Sequence, residues 1–89
     1  RGSKSQMFTE SKVLTEQMTA SYAFVLSEIV FYEYQKFLGI NLTDEDQLHY
    51  TNATLYQKQA IFELKQSHDI DSYLISLNMA YNEYQKIQS

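Results

Sequence analysis

The two histidines are the only imidazole side chains of the chain, and His49 has carboxylates close to it in the sequence. It follows Glu45 by four residues and Asp46 by three, which on a helix places a carboxylate beside the ring. Glu33 would lie across from His49 if the chain reverses direction near Gly39. Carboxylate and histidine ligands on facing helices form the metal centres of ferritin-like bundles. Acidic residues in a first helical turn are, however, explained by the helix dipole, so we predict no metal site.

The rest of the chain offers little for catalysis. His68 lies beside Asp69 and Asp71, but both aspartates stand where a helix cap is expected. There is no cysteine, no glycine-rich phosphate loop and no nucleophile paired with a general base. We therefore predict a protein that is not an enzyme and that needs no cofactor.

Length and charge narrow the class of protein further. A chain of 89 residues makes one small domain, which buries only about 60–65% of its unfolded surface and is often completed by a partner. We interpret residues 1–6 as a tag remnant and disordered start, and residues 7–89 as a single helical-bundle domain. The net charge of −4 argues against binding to nucleic acid phosphates or anionic membranes. The absence of cysteine and of a signal peptide predicts a cytoplasmic protein.

The pattern of helix starts and stops predicts three helices, over residues 9–38, 44–66 and 70–87. Gly39 supplies a left-handed residue that ends the first helix, and Thr43 is the expected N-cap of the second. Asp69 or Asp71 caps the third. Short loops force consecutive helices to lie antiparallel. The predicted fold is an all-α, three-helix antiparallel bundle with a long first helix, completed by dimerisation.

The apolar pattern of the first helix indicates that this helix is the central element of the bundle. Residues 22–38 are apolar around most of the helix circumference, as expected of a helix that packs on several neighbours at once. One set of apolar residues recurs at spacings of three, four or seven along the whole helix: Met7, Leu14, Met18, Tyr22, Val25, Ile29 and Tyr32. At about 45 Å this helix is longer than the others, so its beginning would be uncovered unless a second copy packs on it. The alternative is that residues 1 to 10 fray.

The second helix carries two separate apolar groups, whereas the third carries one. On the second helix a broad face is expected to reach the core, and a ridge spaced by seven residues, Leu48, Leu55 and Phe62, lies apart from it. The third helix has a single amphipathic stripe: Ile70, Tyr73, Leu74, Leu77, Ala80, Tyr81, Tyr84 and Ile87. Because an edge helix needs only one apolar face, we predict an interface formed by Leu48, Leu55, Phe62, Met7, Leu14 and Met18.

These patterns lead to three functional hypotheses. The first is a non-catalytic protein–protein interaction module, such as an adaptor, a chaperone or a small regulatory or inhibitor protein, acting as a homodimer. The alternative is a small DNA-associated transcription regulator whose dimer presents the third helix, although that helix carries one cation, Lys86, where DNA binding needs several. The third is a metal-binding bundle built on His49.

A tetrapeptide occurs twice. Glu33-Tyr34-Gln35-Lys36 is repeated as Glu83-Tyr84-Gln85-Lys86, near the ends of the first and third helices. The residues before each copy match only in a loose hydrophobic sense. We therefore interpret the repeat as two helices that end in the same amphipathic way, and an internal duplication of a helical unit as the alternative.

Overall fold

A computed structural model describes the backbone of residues 2–88 and the side chains of residues 18–88. Over this range the chain forms three helices and no strand: α1 (Gly2–Phe37), α2 (Asp44–Lys65) and α3 (Ile70–Gln85). The all-α, three-helix prediction is confirmed. The ends of the helices agree with it to within two residues except at the start, because α1 begins at Gly2 and not at residue 9.

The predicted helix signals are found at the loops. Gly39 has a φ of +80°, the left-handed conformation that favours glycine after a helix. The Thr43 hydroxyl accepts a hydrogen bond from the Asp46 backbone N–H and caps α2. Of the two candidate caps for α3, Asp69 performs this role, accepting from both the backbone N–H and the hydroxyl of Ser72.

The most extensive contact in the molecule joins α2 to α3. Small residues make this approach possible, since the distance between two helix axes depends on the side chains at the contact. Ala53 and Ala60 on α2 and Ala80 on α3 are completely buried, and Ser76 is nearly so. All eight residues of the predicted α3 stripe are buried or half-buried, which confirms that stripe as the side of α3 that faces the core.

Helix α1 packs chiefly on α3 and touches α2 at few positions. Among the side chains of α1 that the structure describes, the buried ones form one narrow stripe within about 60° of the helix circumference: Ala23, Leu26, Val30 and Phe37. The expectation that α1 is surrounded by neighbours is therefore not met within one chain. The apolar residues on its other faces, among them Phe24, Phe31 and Tyr32, are more than half exposed.

Helix α1 is also longer than its neighbours. Its 36 residues span about 54 Å, whereas the 22 residues of α2 span about 33 Å. Tyr34 lies beside Tyr50 near the start of α2, and Val30 lies near Ile61 towards its end. The excess length of about 21 Å therefore falls in the first half of α1.

Candidate protein interaction surfaces

The three residues Leu48, Leu55 and Phe62, here called the α2 ridge, lie on the surface. Their exposed fractions are 60%, 56% and 57%. At 3.6 residues per turn the ridge points about 150° away from Ala53 and Ala60, the buried side of the same helix. Two polar side chains on each side, Asn52 and Gln59, Thr51 and Lys58, separate it from the rest of the helix. The α2 ridge is thus a row of apolar side chains that the chain itself does not cover.

A second uncovered row lies on α1. Met18, Tyr22, Val25, Ile29 and Tyr32, here called the α1 seam, belong to the apolar set that the sequence predicted, and their exposed fractions range from 41% to 65%. Met18 was one of the predicted interface residues. The side chains of the other two on this helix, Met7 and Leu14, lie outside the residues that the structure describes.

A groove between α1 and α2 was not foreseen. It consists of two adjoining cavities of about 290 and 240 Å³ that share Phe31 of α1 and Gln57 and Ile61 of α2. The groove exists because α1 packs chiefly on α3, so that a space remains between α1 and α2. Ile61 belongs to the broad apolar face of the second helix that we expected to reach the core, but it is half exposed.

The expected surroundings of His49 require a correction. Its Nδ1 atom lies 2.8 Å from Oε2 of Glu83 on α3, and Oε1 of Glu83 lies 3.1 Å from the Lys86 ammonium group. Burial tends to raise the pKa of Glu83, but the hydrogen bonds from His49 and Lys86 outweigh it and the pKa is lowered. His49 therefore joins the start of α2 to the end of α3.

Near this pair Tyr50 contacts one tyrosine from each copy of the tetrapeptide, Tyr34 and Tyr84. The ring of Tyr50 stacks on Tyr34, with centroids 5.9 Å apart, and meets the edge of Tyr84 at the same distance. The Tyr50 hydroxyl donates to the Tyr34 carbonyl oxygen at 3.1 Å, and the Tyr84 hydroxyl donates to Oε1 of Gln57. Burial raises the pKa of both Tyr50 and Tyr84, and the neighbouring tyrosines add to it. These contacts hold the three helices together at one end of the bundle.

The metal-binding and DNA-binding hypotheses need clusters of acidic, histidine or basic side chains. In the described part of the chain these side chains are ion-paired or lie apart from one another. Among the described residues no group of three histidine, cysteine or acidic side chains is arranged to hold a metal ion. Lys86, the one cation on the last helical segment, contacts Glu83, and Lys36 contacts Glu33 at 3.8 Å. No helix in the described part of the chain has the length and hydrophobicity needed to cross a bilayer.

Comparisons with known proteins give no relative. The chain matches no protein-family model, no curated protein and no solved structure.

Proposed function

We propose that this chain is a non-catalytic protein–protein interaction module that acts as a homodimer and presents further apolar surface to another protein. The observation that carries the proposal is the regular arrangement of exposed apolar side chains on α1 and α2. Single exposed apolar residues are ordinary on a protein surface, whereas contiguous apolar surface marks an interaction site.

The α2 ridge illustrates this regularity. Its members recur every seven residues and point away from the core, and each of the three is more than half exposed. A helix that only covered the edge of a monomer would carry polar residues at these positions. Three large anchors along one line are typical of the contact that one helix makes with another.

The aromatic composition of the exposed surface supports the same proposal. Tyr22 and Tyr32 on α1 are more than half exposed, together with Phe24 and Phe31. Aromatic residues are enriched at the centres of protein interfaces, and tyrosine combines a large apolar ring with a hydroxyl that tolerates water.

The homodimer is tested by the mass in solution, measured by light scattering behind a sizing column over a hundredfold range of concentration. We expect the mass to approach twice 10.5 kDa at the upper end of this range. A mass of 10.5 kDa at every concentration would contradict the homodimer.

A further inference from the structure

We infer that the second copy of the chain binds antiparallel along the α1 seam, with Tyr22 of each copy opposite Val25 of the other. The inference rests on the proposed homodimer and names the surface and the orientation through which it forms. It leaves the α2 ridge free for a different protein.

The spacing of the α1 seam is that of a coiled coil. Its five residues are separated by four, three, four and three positions, which is the a/d pattern of two consecutive heptads. The centre of the seam lies about 110° round α1 from the buried stripe, so α2 and α3 leave it accessible to another helix. A seam of this spacing fits a long helix as its partner, and α1 itself is such a helix.

The exposed area is sufficient for a weak to moderate dimer. Five large side chains that are each about half exposed present on the order of 100 Å² apiece, given that aromatic residues bury about 150–250 Å² when fully covered. Two copies would then bury roughly 1,000 Å² in total, which is about the lower limit for a specific interface. The first half of α1 extends beyond α2 and would lengthen this contact.

Charge selects the antiparallel orientation. In a parallel, in-register pair the positions that flank the seam bring Glu28 of one copy beside Glu33 of the other, and two-fold symmetry makes this contact occur twice. Glu33 is largely buried and lies 3.8 Å from Lys36 of its own chain, which weakens the repulsion without removing it. In the antiparallel pair Glu28 instead lies near Ser21 of the second copy. Like charges at these flanking positions disfavour a coiled coil, so the antiparallel pair is favoured.

The sizes of the side chains agree with that orientation. The antiparallel pair places the large Tyr22 against the small Val25, and Met18 against Ile29, so that both of these layers combine unequal or flexible side chains. A parallel pair would place Tyr22 against Tyr22 and Val25 against Val25, giving one crowded layer and one loose layer. Well-packed contacts alternate large and small side chains across facing positions.

Disulfide cross-linking tests the orientation, because the chain contains no cysteine. Met18→Cys and Ile29→Cys are made as single variants and oxidised separately and as a mixture. The antiparallel pair predicts a covalent dimer in the mixture, containing one chain of each variant. It predicts little covalent dimer from either variant alone, because Met18 of one copy lies about 16 Å along the axis from Met18 of the other. Two cysteines bridge only when their Cα atoms are within about 7 Å.

Each other outcome overturns the inference in a recognisable way. Efficient cross-linking of each variant with itself would indicate a parallel pair. A doubled solution mass with no cross-link in any sample would place the dimer contact elsewhere, with the α2 ridge as the next surface to examine. Both results contradict the α1 seam and leave the homodimer intact, whereas a wild-type mass of 10.5 kDa would remove the homodimer itself.

Discussion

Two substitutions on α2, Ala60→Leu and Leu55→Ala, should have effects on stability that depend on the side of the helix and not on hydrophobicity. Ala60 is completely buried, whereas Leu55 is 56% exposed. Leucine at position 60 adds three carbon atoms to a closed contact, and overpacking of this kind costs about 1–3 kcal/mol. Alanine at position 55 removes atoms that face solvent and should change the free energy of unfolding by no more than about 0.5 kcal/mol.

The assay is thermal unfolding followed by circular dichroism. In a domain of this size each kcal/mol shifts Tm by about 4–8 °C, so Ala60→Leu should lower Tm by about 4 °C or more. Leu55→Ala should lower it by no more than about 4 °C. Both variants are compared with wild type at one protein concentration, because the stability of a homodimer depends on concentration.

The opposite pattern would refute the assignment of faces on α2. Truncation of a buried leucine to alanine costs about 2–5 kcal/mol. If Leu55→Ala showed a loss of that size while Ala60→Leu were neutral, the α2 ridge would belong to the core and the interaction surface would have to be sought elsewhere.

Three further predictions concern the loops and the contacts between helices. Gly39→Ala should destabilise the fold by about 1–2 kcal/mol in urea unfolding, because the added Cβ meets no atom but strains the left-handed backbone; Gly39→Asn should cost less, and equal losses would refute this reason. The Glu83 carboxylate, whose pKa is lowered in the folded state, should stabilise the fold above its ordinary value of 4.5, and this contribution should disappear as the pH falls through the lowered pKa. Glu83→Gln should therefore flatten the acid side of the stability–pH curve, and an unchanged curve would contradict the shift. Tyr84→Phe removes the hydroxyl that donates to Gln57 and should cost about 1 kcal/mol, whereas the exposed Tyr32→Phe should cost almost nothing; equal effects would contradict the buried hydrogen bond.

The sequence was sufficient to predict those parts of the fold that depend on local interactions. Gly39, Thr43 and Asp69 act through backbone conformation and through hydrogen bonds to residues three positions away, so their roles can be recognised without knowing the rest of the structure. The α3 stripe was equally clear, because a single apolar face on a helix has one physical solution, which is to face the core.

Contacts between helices could not be predicted in the same way. Periodicity indicates which face of a helix is apolar but not which neighbour covers it, so the preference of α1 for α3 over α2 was missed. The position of the Glu83 carboxylate beside His49 depends on how α3 packs against α2, and the sequence suggested the nearer Glu45, Asp46 and Glu33 instead. The apolar residues all round α1 were identified correctly, but the chain alone does not bury them.

The same limit applies to the candidate site. Leu48, Leu55, Phe62 and Met18 are exposed, and their role as interface residues stays a prediction. The groove around Phe31 and Ile61 depends on how far α1 stands from α2, a distance that no local pattern encodes.

The most direct test of the dimer and its surface is the solution mass of wild type, Val25→Asp and Leu55→Asp, measured by light scattering at one concentration. Each substitution places a charge on an exposed helix face, so circular dichroism should show unchanged helicity in both variants. We expect a mass near twice 10.5 kDa for wild type and Leu55→Asp, and 10.5 kDa for Val25→Asp. A Val25→Asp protein that keeps the doubled mass, with Leu55→Asp reduced to 10.5 kDa, would contradict it and assign self-association to the α2 ridge.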